Sequence, residues 1–274
     1  MQTVIDAHIH LSERRDDALL RYAKLNGLSY TLEELLGLMR SHHVERGLLL
    51  SPPLRGRDPL PNEEIISLCR RSGGVLSPVV TVEPTRKEVA AAIKIAEEHR
   101  KDVKAFKIRL GYVKASADSP VFRVLYDYAE AEHLPVLFHT GDTASSDGDL
   151  ALSHPLTLDR LANEREGLTI VLCHFGNPWF EEVAELIYKH PKVYTDISGL
   201  TTGGGAYARK FEEWLAKKIS EAIYFAGGAE KIIFGTDYPV TKYSDALNLV
   251  RALDVDEADK QMILWRNARE VFGM

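Results

Sequence analysis

The sequence has few cysteines, no long apolar run and no basic cluster. Cys69 and Cys173 are the only cysteines among 274 residues, and no CxxC pair occurs, which excludes a disulfide framework and suits a reducing compartment. No apolar run approaches the roughly 20 residues of a membrane span, and no secretory signal pattern is present. We therefore expect a cytoplasmic protein that does not engage a membrane.

The sequence also lacks a large excess of positive or negative charge. The chain carries 34 Lys and Arg against 40 Asp and Glu, a formal net charge of −6. This mildly acidic balance, without a local cluster of Lys and Arg, argues against a nucleic-acid partner. A small-molecule substrate is the expected partner, and a homo-oligomer is compatible with a chain of this type.

Short apolar, β-branched runs alternate with helical patterns along the chain. The strands are predicted to begin near Val4, Arg46, Val75, Lys104, Leu134, Leu168, Lys192 and Lys231. Helical spacing of apolar residues covers 31–41, 61–72, 85–101, 119–132, 154–166, 177–189, 206–226, 241–253 and 256–272. This alternation indicates parallel strands joined by right-handed crossovers.

The glycine pattern separates two parallel architectures. A doubly wound nucleotide-binding sheet needs a glycine-rich turn after an early strand, and the first strand instead ends in Ala7-His8-Ile9-His10. The one glycine cluster, Gly203–Gly205, follows the seventh strand, near where barrels often bind phosphate, and is interpreted as a flexible hinge. We therefore predict one domain, residues 1–274, folded as a (β/α)8 TIM barrel.

Polar side chains fall at the ends of several predicted strands. The carboxyl ends of barrel strands meet at one mouth, where barrel enzymes carry their chemistry. Two histidines that end the first strand are two residues apart, so their side chains face the same way. The candidate donors at this mouth are His8, His10, Lys107, His139, His174 and Asp237.

This combination of side chains suits a divalent metal site. Neutral imidazoles and a carboxylate are ligands for zinc or manganese, and a bound metal makes hydroxide available near neutral pH. Asp237 is placed to accept and return a proton. Lys107 cannot ligate as an ammonium; it would bridge two metals only after carboxylation by CO2, and an ion pair in the mouth is the alternative. We expect one or two divalent ions, zinc or manganese.

The remaining histidines and Cys173 have simpler interpretations. Six histidines fall near helix ends or in loops and are taken as structural: His42, His43, His99, His133, His154 and His190. Cys173 reads as a small packed residue of the sixth strand. The metal-site prediction therefore uses four of the ten histidines.

Several motifs together resemble the amidohydrolase superfamily, most closely its amidohydrolase-related (amidohydrolase 2) branch. They are the segments Asp6–His10, Phe138–Gly141, His174–Gly176, Phe234–Pro239 and Ile263–Phe272. The resemblance implies a distorted barrel of the metallo-dependent hydrolase type with one or two divalent metals. Members of this superfamily include lactonases, amidases and nonoxidative decarboxylases of unsaturated or aromatic acids.

The resemblance also implies roles for individual residues. His8 and His10 match the ligands of the first strand, and His139 matches the ligand of the fifth. Asp237 matches the ligand and general acid/base of the eighth strand. His174 matches a histidine that binds a second metal in two-metal members and polarises the substrate in one-metal members, so Asp237 and His174 are the expected catalytic residues.

Lys107 separates subgroups of that superfamily. TatD-like nucleases are similar in length and in their His-x-His start, but carry a glutamate on the fourth strand. Lys107 at this place, together with the acidic balance, argues against a nuclease. Two-metal members of the superfamily use a carboxylated lysine on this strand. The hypothesis for this chain is therefore a two-metal centre bridged by N-carboxylated Lys107.

Three functions follow from these features. The first is a metal-dependent hydrolase of an amide, lactone or ester bond in a small polar substrate, with Asp237 as general acid/base. The alternative is a metal-dependent nonoxidative decarboxylase of an unsaturated or aromatic carboxylic acid. The third is a barrel that binds metal or ligand without catalysis.

Two further features bear on the substrate. Arg109 lies two residues beyond Lys107 and is a candidate for binding a substrate carboxylate, with a salt bridge as the alternative. The polar stretch 140–150 either lines the pocket or forms a solvated loop.

Overall fold

The computed structural model describes residues 3–54, 58–201 and 207–274, and eight strands run through them in one parallel sheet ordered as in the chain. The strands are β1 (Val4–His10), β2 (Val44–Leu50), β3 (Leu76–Thr81), β4 (Ala105–Ile108), β5 (Val136–Phe138), β6 (Ile170–Leu172), β7 (Val193–Asp196) and β8 (Ile232–Ile233). Each begins within two residues of its predicted start. The predicted barrel is confirmed.

The sheet closes between its first and last strands. The N–H of Ala7 donates to the carbonyl of Phe234 (3.0 Å), and the N–H of His10 donates to the carbonyl of Tyr238 (2.8 Å). Ile9 and Tyr238 form a parallel bridge at the same level. The segment after β8 therefore completes the barrel beside the end of β1.

Helices cover the outside of the barrel. They are α1 (Leu20–Leu25), α2 (Leu32–Ser41), α3 (Asn62–Arg71), α4 (Arg86–Glu98), α5 (Arg123–Glu132), α6 (Leu150–Ser153), α7 (Asp159–Glu164), α8 (Phe180–Lys189), α9 (Ala208–Ala226), α10 (Tyr243–Ala252), α11 (Glu257–Gln261) and α12 (Asn267–Phe272). A π-helical turn joins α11 to α12. Within the described ranges, no helix has the length and apolar character that a bilayer crossing requires. The predicted hinge at Gly203–Gly205 lies outside the described residues.

Alternating strand residues separate the barrel interior from the outer core. Interior positions form one apolar cluster, which also includes Ala268 and Phe272 of α12: Ile5, Ala7, Leu48, Leu50, Val79, Ala105, Leu137, Val171, Cys173 and Ile233. Intervening residues such as Phe106, Phe138 and Leu172 pack outward under the helices. The interior is therefore packed along most of its length, and its polar groups collect where the strands end.

A register shift in β1 turns its two histidines inward. Ile5 and Ala7 belong to the interior cluster, whereas Ile9 belongs to the outer core. Strict alternation from Ile5 would direct His8 and His10 outward. The register of β1 against β2 shifts between Asp6 and Ile9, and a bulge of this kind reverses the facing of the residues that follow.

Asp6 holds this bulge against the end of β8. Its Oδ1 accepts hydrogen bonds from the N–H of His8 (3.1 Å) and the N–H of Thr236 (3.0 Å), and its Oδ2 accepts from the Thr236 hydroxyl (2.6 Å). Burial raises the pKa of Asp6 to about 7, against the lowering effect of the Thr236 hydrogen bonds. The histidine-bearing strand end and the loop that carries Asp237 are thereby fixed to each other.

Candidate metal centre

Two histidines of β1 and one aspartate after β8 form a compact cluster at the carboxyl ends of the strands. Asp237 Oδ1 lies 3.1 Å from His10 Nε2 and 3.6 Å from His8 Nε2. One ligand atom from each of the three residues lies within 4.8 Å of the others. Asp237 has a left-handed backbone (φ 58°), and its N–H donates to the His8 carbonyl (2.7 Å). The turn thus aims its carboxylate at both rings.

The second nitrogen of each imidazole is already engaged, which leaves Nε2 for a metal. His10 Nδ1 donates to the Leu50 carbonyl (3.0 Å). His8 Nδ1 lies 3.0 Å from Asp196 Oδ2 and 3.0 Å from the Ser198 hydroxyl. A carboxylate or carbonyl that holds Nδ1–H fixes the tautomer whose Nε2 lone pair binds metals. The residues present therefore fit a divalent metal.

The charge states of the cluster also suit a cation. Burial, with Lys107 nearby, lowers the pKa of His8 to about 4, although Asp196 opposes this, so the ring is neutral at pH 7. Burial alone would raise the pKa of Asp237, but His10 and His8 hold it down to about 2. Neutral imidazoles and an ionised carboxylate are the ligating forms.

Asp196 and Ser198, which the sequence analysis did not select, organise the centre from below. Asp196 ends β7, and its Oδ1 accepts from the Ser198 hydroxyl (2.5 Å), the Ser198 N–H (3.0 Å) and the His174 N–H (2.9 Å). Although burial acts in the opposite direction, the neighbouring His8 holds the pKa of Asp196 well below its usual range. The position of Asp196 at a strand end is visible in the sequence, but its bond to His8, 188 residues away, is not.

His174 lies beside this network on a strained turn. It follows β6 with φ 63°, and Phe175 after it has φ 47°. Its Nδ1 donates to the Ser198 carbonyl (3.1 Å), and its ring centroid is 4.9 Å from that of His8. His174 can also join His8 and Asp196 in a second three-residue group. The predicted catalytic pair, His174 and Asp237, thus lies beside His8.

His139 stands next to His174 but belongs to neither three-residue group. The ring centroids of the two residues are 4.9 Å apart, and Tyr112 packs against the other side of His139 at 4.8 Å. His139 Nε2 donates to the Asp142 carbonyl (2.9 Å), which leaves Nδ1 as its free nitrogen. Its role as a metal ligand stays a prediction.

Lys107 projects into the barrel interior below the histidines. Its Nζ lies 2.8 Å from Cys173 Sγ, and burial raises the pKa of that thiol. Among the described residues no carboxylate lies within 4.0 Å of Lys107 Nζ, so the ion pair considered as its alternative role is not formed there. Carboxylation of Lys107 and metal bridging stay a prediction.

The remaining candidates have other contacts. Arg109 forms the salt bridge that was its alternative, with Nη2 2.8 Å from Glu83 Oε1. In the stretch 140–150, Thr140 and Gly141 are buried, whereas residues 142–150 are mostly exposed, as a solvated loop would be. His154 packs on the Trp179 ring, and His190 Nε2 bonds Asp159 (2.7 Å).

Replacing Asp196 by asparagine should weaken metal binding by about 10- to 100-fold. Three donors point at Oδ1, so the amide oxygen takes that place and the new NH2 group faces His8 Nδ1. That contact favours the His8 tautomer with Nε2–H, which cannot ligate. Metal affinity measured by competition with a chelator tests this. Asp17→Asn, another buried carboxylate, which bonds Ser12 and Tyr30 instead, should bind metal as the wild type does; equal affinities for Asp196→Asn and wild type would contradict the assignment.

The metal-free protein should lose the stabilising contribution of His139 as the pH falls. Burial, then His174 and Lys107, lower the pKa of His139 well below 6.5 in the fold. Below pH 6.5 the unfolded chain therefore binds a proton that the folded chain does not. The difference in unfolding free energy between wild type and His139→Asn should decrease by up to about 1.4 kcal/mol per pH unit on acidification. Urea unfolding in chelator between pH 7.5 and 5 measures it, and a difference independent of pH would refute the shift.

An eight-stranded parallel barrel with histidines and aspartates gathered at its mouth is a barrel of the metallo-dependent hydrolase type. The amidohydrolase family model matches residues 5–274, and the chain belongs to this family. The chain is 25% identical over 298 aligned positions to gamma-resorcylate decarboxylase of Rhodococcus jostii, covering 87% of this chain and 86% of the relative.

Solved structures show the same fold. An uncharacterised TIM-barrel protein of Bordetella bronchiseptica has a TM-score of 0.78 at 19% identity, covering 99% of this chain and 98% of that one. A probable 2-pyrone-4,6-dicarboxylic acid hydrolase of Acinetobacter baumannii, with citric acid bound, has a TM-score of 0.71 at 19% identity, covering 99% and 100%.

Proposed function

We propose that this chain is a metal-dependent nonoxidative decarboxylase of an aromatic carboxylic acid. The observation that carries the proposal is similarity along 87% of the chain to a protein named gamma-resorcylate decarboxylase. The geometry supports it because His8, His10 and Asp237 offer a metal-ligating cluster at the barrel mouth. The sequence alone had put hydrolysis first; the relatives favour decarboxylation.

The chain's own residues would divide the work as follows. His8, His10 and Asp237 would hold a divalent ion, zinc or manganese, with His139 and His174 beside them. When bound, such an ion supplies positive charge that orients the substrate's oxygen atoms. The carboxylate of Asp237, ionised and within 3.6 Å of both Nε2 atoms, accepts a substrate proton and delivers it to the ring carbon.

The reaction balances without water. The bond between the ring carbon and the carboxylate breaks, its electron pair stays on the ring carbon, and one proton replaces the departing CO2. His174 Nδ1 donates to the Ser198 carbonyl, so its Nε2 is the ring nitrogen that can accept a hydrogen bond from a substrate hydroxyl.

Hydrolysis is the second candidate because the same donors suit activation of a water molecule. A chain of the same fold bears the name of a 2-pyrone-4,6-dicarboxylic acid hydrolase, and Asp237 would serve as the base in that reaction. The two reactions differ in whether CO2 is released or water is consumed.

The deciding experiment supplies manganese- or zinc-loaded protein with gamma-resorcylate and related hydroxybenzoates, and in parallel with lactones, esters and amides. We expect CO2 release with one decarboxylated product per CO2. Hydrolysis of a lactone, ester or amide without CO2 release from any acid would overturn the decarboxylase and favour the hydrolase. Metal binding without turnover of either substrate set would favour a noncatalytic barrel.

A further inference from the structure

Two polar side chains from neighbouring strands share one level of the barrel interior. Thr81 ends β3 and is the register partner of Lys107 in β4. Val79 and Ala105, two residues before them, both belong to the interior cluster. Side chains two residues apart on a strand face the same way, so Thr81 and Lys107 both point inward. They lie below the mouth on the side of the barrel opposite the bonds between β1 and β8.

Among the described residues, no carboxylate lies within 4.0 Å of Lys107 Nζ, so its charge has no direct ion-pair partner there. Its side chain is 5% exposed, and its one described hydrogen-bond partner is the neutral thiol of Cys173. A buried ammonium is costly unless it meets an anion or several acceptors. Cys173 immediately precedes His174, so Lys107 Nζ reaches the end of β6 from which His174 follows.

The Thr81 hydroxyl is the second unused group. Asn62 at the start of α3 binds the backbone of Thr81 from both sides, since its Oδ1 accepts from the Thr81 N–H (2.9 Å) and its Nδ2 donates to the Thr81 carbonyl (3.0 Å). The backbone is thereby fixed, yet the Oγ1 atom is buried without a hydrogen-bond partner. Buried hydroxyls are normally satisfied, so an unpaired one indicates a missing partner.

We propose that Lys107 and Thr81 form a binding site for a carboxylate of the substrate, with Lys107 acting as an unmodified ammonium. The proposal rests on the proposed function for the identity of the ligand as an aromatic acid. A carboxylate oxygen accepts from Lys107 Nζ and from Thr81 Oγ1 at once, which supplies the counter-charge and the missing hydrogen-bond partner.

The charge of Lys107 itself distinguishes this arrangement from a carboxylated lysine. An ammonium attracts the carboxylate of a substrate acid, whereas a carboxylated lysine carries a negative charge and repels it.

The test measures binding of benzoate, and of neutral benzamide, to the metal-loaded full chain by calorimetry. Lys107→Met should weaken benzoate binding by about 10- to 100-fold, and Thr81→Val should weaken it by about 2- to 10-fold. The benzoate affinity of Lys107→Arg should lie between those of wild type and Lys107→Met. Lys104→Met is the matched control because Lys104 precedes the same strand and donates to the Gly273 carbonyl; it should bind benzoate as wild type does. Benzamide binding and metal content should be the same in all variants.

The possible outcomes test the carboxylate-binding site and the proposed decarboxylation separately. Equal benzoate binding by wild type and Lys107→Met, or no preference of wild type for benzoate over benzamide, overturns the site even if CO2 is released. A mass increase of one CO2 on Lys107, with metal lost in Lys107→Met, overturns it in favour of a bridging lysine. Lys107-dependent benzoate binding without decarboxylation of any acid supports the site and overturns the proposed reaction. Circular dichroism spectra confirm that each variant is folded.

Discussion

Replacing His8 and His10 together by alanine should abolish metal binding and lower turnover by at least about 1,000-fold, while the barrel remains folded. The two rings supply both nitrogen atoms of the compact cluster, so Asp237 alone would remain. Neither ring belongs to the apolar interior cluster or the outer core that hold the strands together. Metal content after gel filtration, circular dichroism and the rate of CO2 release measure the three parts of the prediction.

A matched control removes two imidazoles elsewhere. His42→Ala with His99→Ala deletes the rings that end α2 and α4, outside the barrel mouth. This variant should keep wild-type metal content and turnover. A His8/His10 variant that retains full metal content would contradict the cluster, and equal metal loss in the control would show that the effect is not local.

The fold was predictable because each strand has its own apolar signature. The second half of β2, Leu48–Leu50, and the whole of β6 are continuous runs of Leu, Ile and Val because both faces of a barrel strand are covered there. Helix starts were also predictable from local sequence. At Thr31, for example, the side chain accepts a hydrogen bond from the N–H of Glu34. α1 and α6 escaped prediction because six and four residues are too few to show a helical period.

The site was predictable only in part, because the direction in which a strand side chain points depends on contacts between distant segments. The position of His8 at a strand end is local information, but its inward direction depends on the register shift that Asp6 and Thr236 hold in place. Asp196 escaped selection because its importance lies in a bond to a residue 188 positions away. The contact of Lys107 with Cys173 likewise joins two strands, and neither local sequence predicts it.

Replacing Asp237 by asparagine should lower kcat by about 100- to 10,000-fold even at saturating metal. Asparagine keeps an oxygen that can ligate but neither accepts nor delivers a proton at this position. The pKa of Asp237, held near 2 by His10 and His8 against the effect of burial, keeps the wild-type group ready to accept one. The rate of CO2 release at rising metal concentration measures the effect.

Asp196→Asn provides the contrast that separates proton transfer from metal binding. Both variants exchange a buried carboxylate for an amide beside His8, at 3.0 Å for Asp196 and 3.6 Å for Asp237. Excess metal should restore most of the rate of Asp196→Asn, because that residue acts on ligand geometry, and little of the rate of Asp237→Asn. If excess metal restored both variants equally, Asp237 would be a ligand alone, and the proton would have to come from another group at the mouth, such as His174, whose ring centroid lies 4.9 Å from that of His8.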